Sequence, residues 1–328
     1  MTERDDRFEE DEYEQEEQDD SGFAPVYMVE LLYKTKPELS REALYAKMEA
    51  YTGQVAVPGE EDVEDEEDKA AADEKADVPA LAVWEAEDQE QSDDTLMFFH
   101  LNYKVAHEEG ELPAATCVFP TNEETKPEKY ETALQQAWHW PEARATVEAS
   151  RHSLLLTDFC AAGLPYKERL ELFQNALRAL LEVAPCDALY WRASDNIVDP
   201  EQYLGALAEG QTLYGAMNVR FYNVQGKEAE RQEFLMDTTG LAALGLPDMQ
   251  CHFYDMEPGE VASVLGDLGY YVYNRGDIIQ DGETVGVTEQ QRWRCEHQYA
   301  LAQPRRFVLD LDPGEPYYAG RQHHDENQ

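Results

Sequence analysis

The chain has 328 residues, of which 42% are hydrophobic, and a formal net charge of -44. This length allows one large domain or two of ordinary size, and the apolar content is sufficient for a buried core. No basic stripe suited to a phosphate backbone occurs, so we expect no nucleic-acid binding. The first residues resemble no signal peptide and no run of 18 apolar residues follows, which predicts a cytoplasmic protein that binds no membrane.

Acidic residues are concentrated in two segments. Residues 1–20 contain 12 acidic and 2 basic residues, and residues 59–94 contain 17 and 2. Segments so poor in apolar side chains cannot offset the conformational entropy lost on folding. We therefore predict a disordered acidic tail over 1–22 and a disordered acidic insertion over 59–94. The run best suited to attract a basic partner comprises Glu60, Glu61, Asp62, Glu64, Asp65, Glu66, Glu67 and Asp68.

Apolar periodicity predicts strands and helices through the first half of the chain. A strand is expected in PVYMVELLY, followed by a helix in ELSREALYAKMEAY that ends at Gly53. Two strands, TLMFFHLNY and AATCVF, flank a polar connection over 106–112, and helices follow in YETALQQAW and PEARATVEAS. The tetrapeptide TKPE starts at Thr35 and again at Thr125. Each copy fits a capping box at the start of a helix. Two origins would explain the repeat: independent selection for a helix cap, or duplication of a strand-helix unit.

The second half continues the mixture of strands and helices. Strands are expected in HSLLLTDF, DALYWRAS, MNVRFYNV, RQEFLMDT and QCHFYDM, and an amphipathic helix in YKERLELFQNALRALLEV. PGEVASVLGDLG starts with proline and ends with glycine, which predicts a short capped helix leading into YYVYN.

The order of these elements indicates the fold class. Strands occur in adjacent pairs between helices, which predicts an α+β fold with largely antiparallel or mixed sheets, helices layered on one face, and room for two similar halves. We expect an N-terminal α+β region over 23–150, a C-terminal α+β region over 151–312 and a polar tail over 313–328.

Motifs for catalysis and cofactor binding are missing. The sequence contains no G-x-S-x-G, G-x-x-x-x-G-K-[ST], G-x-G-x-x-G or paired C-x-x-C. Cys295 and His297 could lie on one strand face as two metal ligands, but no second pair has the required spacing. The five cysteines, odd in number and far apart, are expected to be reduced core residues. We therefore predict no catalytic, cofactor-binding or metal-binding residue.

The segment GLAALGLP stands out as small and uncharged in an acidic chain. It is predicted to form a compact crossover between strands, in which Gly240, Gly245 and Pro247 satisfy backbone geometry. The alternative is a pocket at this turn, formed by Asp237, His252 and Asp255.

One stretch resembles a known family. TTGLAALGLPDMQCHF, followed by an acidic segment and a helix ending in DLGYYVYNRGDIIQDGETVG, resembles the C-terminal domain of bacterial proteins catalogued as domain-of-unknown-function family 4261. WHWPEARATVEASRHSLLLTDF resembles longer members, so the resemblance extends from Trp138 to Val287. The acidic insertion departs from the family's pattern. The resemblance implies an intracellular bacterial protein and assigns no catalytic residue, since the family has no established activity.

Two functions are compatible with these features. The first is a non-enzymatic interaction protein, of the immunity or adaptor type, whose acidic surface engages a basic protein partner. The net charge and the missing catalytic motifs favour it. The second is an enzyme or small-ligand-binding protein with a pocket beside GLAALGLP. The sequence leaves the oligomeric state open.

Overall fold

The computed structural model describes residues 26–53, 80–85, 95–107, 110–121, 125–225, 231–286 and 291–320. These residues form two sheets, one of seven strands and one of six. The strands of the first sheet are β1 (Met28–Tyr33), β2 (Leu81–Glu85), β3 (Leu96–His107), β4 (Gly110–Pro120), β5 (His152–Phe159), β6 (Ala188–Trp191) and β7 (Asn196–Val198). Their spatial order is β2-β3-β4-β5-β1-β6-β7.

The second sheet follows in the chain. Its strands are β8 (Asn218–Gln225), β9 (Gln232–Thr239), β10 (Asp248–Phe253), β11 (Thr284–Gly286), β12 (Arg292–Tyr299) and β13 (Phe307–Asp312). Their spatial order is β11-β12-β13-β10-β9-β8. β10 and β13 are parallel, and the other paired strands of both sheets that the structure describes are antiparallel. The predicted α+β class with antiparallel and mixed sheets is confirmed.

Six α-helices occur within the described residues. They are α1 (Arg41–Thr52), α2 (Glu131–Gln136), α3 (Ala143–Ala149), α4 (Tyr166–Val183), α5 (Pro200–Ala208) and α6 (Pro258–Arg275). Short 3-10 turns cover Pro127–Tyr130 and Leu241–Leu244. None of these helices is both long and apolar enough to cross a membrane.

The first sheet carries helices on both faces. Val29 and Leu31 of β1 pack into the core that includes Phe173 of α4, while Leu32 packs with Trp140 near α2 and α3. A strand buried on both faces has a nearly continuous apolar sequence, which is what β1 shows. For this sheet, the predicted layering of helices on one face therefore does not hold.

One apolar core joins the two sheets. The cluster that contains Val29 and Phe173 also contains Met249 of β10, Leu265 of α6 and Trp293 of β12. α6 covers one face of the second sheet by packing on β8, β9 and β10. Both sheets therefore contribute side chains to a single hydrophobic core.

The sheets divide the chain differently from the boundary predicted at residue 150. β1 lies between β5 and β6 and pairs antiparallel with both strands. Strands from either side of residue 150 therefore share one sheet. Periodicity predicts each strand but carries no information about this long-range insertion.

Two predicted segments, the disordered acidic insertion and the polar tail, contain ordered contacts. Within the predicted insertion 59–94, the apolar run LAVW belongs to β2, and Leu81 is buried. In the predicted polar tail, the Tyr254 amide donates to the Tyr317 carbonyl at 3.0 Å, and the Tyr318 hydroxyl donates to Asp310 at 2.6 Å. The predicted tail 1–22 lies outside the described residues, as do 59–79 and 86–94 of the acidic insertion.

Neither TKPE copy forms the predicted capping box. α1 begins after Ser40, whose hydroxyl accepts from the Ala43 amide at 3.3 Å. The second copy leads into a 3-10 turn capped at Lys126, which has no side-chain cap bond. The proline of each copy disfavours helical geometry in the preceding lysine, so the helix starts beyond the reach of the threonine.

α6 does not end at Gly269 as predicted, because it continues through YYVYN to Arg275. A Cβ added at Gly269 would lie 2.5 Å from the sulfur of Met217. This glycine therefore allows close packing of the helix and does not serve as a cap. Gly276, with a φ of 81°, ends the helix instead.

The cysteines differ in their environments. All five are free thiols, and Cys117, Cys251 and Cys295 are buried as expected. Cys186 is half-buried, and Cys160 is exposed at the end of β5 with a φ of 52°. The expectation of five core cysteines is therefore wrong for Cys160.

The insertion of β1 predicts that the C-terminal region does not fold alone. A fragment of residues 151–312 would lack β1, leaving β5 and β6 without their common neighbour and exposing their apolar faces. Thermal unfolding followed by circular dichroism should show no cooperative transition for the fragment, whereas the full chain should show one. A sharp transition for the fragment would contradict this dependence on β1.

Candidate functional site

Four charged side chains meet in the interior beside the second sheet. Arg306, of which 1% is exposed, donates Nη2 to Asp237 Oδ2 at 2.7 Å and Nε to Asp248 Oδ2 at 3.2 Å. Arg220 pairs with both oxygens of Asp237, at 2.9 and 2.6 Å. We call Arg220, Asp237, Asp248 and Arg306 the arginine-aspartate network. Each buried charge here depends on the others, because removal of one partner of a buried pair costs about 3–5 kcal/mol.

The arginine-aspartate network holds the backbone of the GLAALGLP turn through Asp248. The Asp248 carboxylate accepts from the amides of Leu241 and Ala242 at 3.2 and 3.3 Å and from the Thr238 hydroxyl at 2.9 Å. Burial raises the pKa of Asp248 to about 6, although the Arg306 charge and these donors lower it. Arg169 of α4, the helix that packs on β5 of the first sheet, donates to the Ala243 carbonyl at 3.3 Å. The turn is therefore fixed by groups of the second sheet and of α4.

The glycines of the turn occupy conformations that favour glycine. Gly240 has a φ of 116°, and a Cβ added there would lie 2.0 Å from the Ala216 carbonyl oxygen. Gly245 has a φ of 73° and a ψ of 22°, in the left-handed region, with open space around it. Pro247 is buried and directly precedes β10. All three residues lie in the turn between β9 and β10, which are adjacent and antiparallel, so the segment is a hairpin connection and not the predicted crossover.

The same network holds the hairpin between β12 and β13. Arg220 donates to the Gln303 carbonyl at 3.0 Å, and Arg306 donates to the carbonyls of Ala302 and Pro304 at 3.2 and 2.9 Å. Because these donors come from buried guanidinium groups, the backbone of the hairpin loop is fixed from its inner side.

The side chains predicted to form a pocket at the turn have separate surroundings. Asp237 is opposite Gln250, not His252, in the strand register and belongs to the network. The His252 imidazole faces Glu233 at 3.1 Å. Asp255 is exposed on the bend after β10, with a φ of 52°. These three side chains do not converge on a common cavity. The predicted acidic run from Glu60 to Asp68 lies outside the described residues.

An open groove lies instead at the C-terminal end of α6. It has a volume of about 630 Å³ and is lined by Asp277, Ile278, Ile279, Gln280, Asp281 and His297. After Gly276 the chain leaves the helix and passes beside β12, where His297 lies. The His297 amide donates to Asp281 at 2.7 Å, which ties the loop to the strand.

His297 bridges the two carboxylates of the groove. Its Nδ1 lies 2.8 Å from Asp281 Oδ1 and its Nε2 lies 3.1 Å from Asp277 Oδ1. Burial lowers the pKa of His297, but the hydrogen bonds and charges of Asp281 and Asp277 outweigh burial and raise it. With a carboxylate oxygen within hydrogen-bonding distance of each ring nitrogen, His297 connects the loop after α6 to β12, an arrangement that we call the His297 clamp.

The arrangement of Cys295 also differs from a metal site. Cys295 is fully buried, and burial raises the pKa of its thiol to about 11. Within the described residues, no three His, Cys, Asp or Glu groups are placed to hold a metal ion.

Asp277 and Asp281 line the groove, and further acidic residues occur before α6, along it and after it. Between residues 255 and 283, Arg275 is the single basic residue against seven acidic ones. All seven are exposed, namely Asp255, Glu257, Glu260, Asp267, Asp277, Asp281 and Glu283. We call these seven residues the acidic strip. The groove has no local signal in the sequence, because it combines two aspartates four residues apart with a histidine in a later strand.

The two glycines of the turn should differ in their tolerance of alanine. Gly245→Ala should destabilise the fold by about 1 kcal/mol, the cost of a left-handed conformation for an ordinary residue. Gly240→Ala should destabilise it more, since the new Cβ would also collide with a backbone carbonyl. Urea unfolding of both variants measures this order. Equal stability of the two variants would contradict it.

The His297 clamp should depend on pH. A histidine with a raised pKa stabilises the fold below its unfolded-state pKa, and this contribution is lost as pH rises through the folded-state pKa. Nuclear magnetic resonance titration of the imidazole should therefore give a pKa above the ordinary value of about 6.5. Asp281→Asn should lower that pKa, because it removes one of the two carboxylates that favour the protonated ring. A wild-type pKa at or below the ordinary value would show that the clamp does not form.

Comparison with known proteins locates a family segment in this part of the chain. Residues 237–312 match the model of a domain of unknown function, DUF4261. The match begins well after Trp138, where the resemblance seen in the sequence starts, and it extends past Val287. No curated protein and no solved structure has a significant match to the chain. The resemblance carried by GLAALGLPDMQ is therefore confirmed for the C-terminal region, whose residues 237–312 match the DUF4261 family.

Proposed function

We propose that this protein is a non-enzymatic interaction protein that binds a basic segment of a partner protein at the acidic strip. The main support is the groove at the end of α6, which is open, is flanked by Asp277 and Asp281, and includes Ile278 with 53% of its surface exposed. An open groove that combines carboxylates with an exposed apolar side chain suits a lysine or arginine side chain, which has an apolar stem and a charged end.

The carboxylates of the groove retain capacity for a partner. A carboxylate has about four acceptor sites, and the His297 ring uses one oxygen each of Asp277 and Asp281. A lysine or arginine of the partner would add charge-assisted hydrogen bonds at the remaining sites. Exposed ion pairs contribute only about 0–1 kcal/mol each, so stable binding needs several of them together with an apolar contact.

The remaining acidic residues would act at longer range. Exposed charges of one sign along α6 raise the local concentration of a basic partner and accelerate association, an effect that salt reduces. The family resemblance supports a bacterial setting, and we infer a cytoplasmic protein of the adaptor or immunity type. The enzyme alternative has less support, because Asp237, His252 and Asp255 have separate surroundings.

Binding of defined peptides tests the proposal. A fluorescent lysine-rich peptide should bind the protein at low salt and dissociate as salt rises, whereas a glutamate-rich peptide of equal length should not bind. Asp277→Asn/Asp281→Asn should weaken binding about fivefold, as expected for the loss of two exposed ion pairs. Fluorescence anisotropy measures each Kd.

A control pair of substitutions distinguishes binding at the groove from a general effect of net charge. Glu42 and Glu49 are exposed on α1, in the part of the fold built on the first sheet. Glu42→Gln/Glu49→Gln changes the net charge by the same amount and should leave the Kd nearly unchanged. If both double variants weaken binding equally, the peptide recognises overall charge and the groove is not the site.

A further inference from the structure

Two aromatic rings are exposed side by side beyond the groove. Tyr299 and Phe307 are opposite each other on β12 and β13, and their rings stack with centroids 4.5 Å apart. Nevertheless, 48% of Tyr299 and 58% of Phe307 remain exposed. An exposed aromatic pair of this kind marks a site of interaction more often than a scattered surface residue does.

The position of the rings explains their exposure. Alternate residues of a strand face the same side, so Trp293, Cys295, His297 and Tyr299 share one face of β12. Trp293 and Cys295 are buried in the core, His297 is covered by the loop after α6, and Tyr299 lies beyond that loop. The apolar face of the second sheet thus continues past the elements that cover it.

The exposed pair is continuous with the groove. His297 lines the groove, and Tyr299 lies two residues further along the same face, a distance of about 7 Å. The Arg305 guanidinium lies 4.1 Å from the centroid of the Tyr299 ring. The hairpin loop between the rings is fixed by Arg220 and Arg306, so binding would order little additional backbone.

Building on the proposed function, we propose that Tyr299 and Phe307 form the apolar anchor site for the same basic segment. The partner segment presents an aliphatic or aromatic side chain to the ring pair and a lysine or arginine to Asp277 and Asp281. In an extended segment, residues i and i+2 lie about 7 Å apart on one face, which matches the step from the ring pair to the groove.

Charge sets which residue of the segment occupies which place. Arg305 beside Tyr299 disfavours a second cation at the ring pair, whereas the two aspartates favour one in the groove. The recognised pattern is therefore an apolar residue and a basic residue separated by one position. A buried aromatic contact at the centre, with charged groups around it, is the usual distribution of energy in a protein interface.

Two peptides and two double variants test this inference. One peptide contains leucine and lysine separated by one residue, and the other has serine in place of the leucine. Tyr299→Thr/Phe307→Thr should weaken binding of the leucine peptide about tenfold and leave the serine peptide unchanged. Asp277→Asn/Asp281→Asn should weaken both peptides. Phe159→Thr, at a ring that is 50% exposed on β5, is the control and should change neither Kd.

The outcomes distinguish this inference from the function on which it rests. If the threonine variant binds the leucine peptide as tightly as the wild type does, the anchor site is wrong while groove binding stands. If neither peptide binds the wild type, both proposals fail. If the threonine variant is unfolded, nuclear magnetic resonance of the leucine peptide bound to the wild type tests the anchor site instead. Ring currents of Tyr299 and Phe307 should shift the leucine methyl resonances upfield when the peptide binds. Bound peptide without that shift would overturn the anchor site.

Discussion

The burial of Arg306 is the constraint on which the C-terminal part of the structure depends. Its guanidinium is enclosed and cannot be left without anions, so Asp237 and Asp248 must lie beside it. Asp248 in turn accepts the first amides of the GLAALGLP turn, and Asp237 orients Arg220. A turn and a hairpin that are far apart in sequence are thereby held in one arrangement.

The arginine-aspartate network acts as a structural scaffold. Its guanidinium groups and carboxylates pair with one another and with backbone groups of the GLAALGLP turn and of the hairpin between β12 and β13. The His297 clamp makes a separate connection, between the loop after α6 and β12.

The scaffold determines what reaches the surface. α6 covers one face of the second sheet by packing on β8, β9 and β10, and the helix ends at Gly276. The loop that follows, with Asp277 and Asp281, is held against His297 of β12, and the Tyr299-Phe307 pair further along β12 and β13 remains exposed. Acidic and aromatic groups therefore lie near each other where this loop meets β12.

The sequence alone determined the local elements, since periodicity and turn residues act over a few positions. It identified the α+β class, most helices, the glycine turn, the family segment and the strands β1, β3, β4, β5, β6, β8, β9 and β10, but it missed β2, β7, β11 and β13. Features that depend on residues far apart in sequence could not be predicted. They include the position of β1 between β5 and β6, the close packing of Met217 on Gly269, and the ion-pair partners of Asp237. Only the tertiary structure brought Asp277, Asp281 and His297 together, because strand register and helix length, which place them, result from packing of the whole core and not from any local pattern.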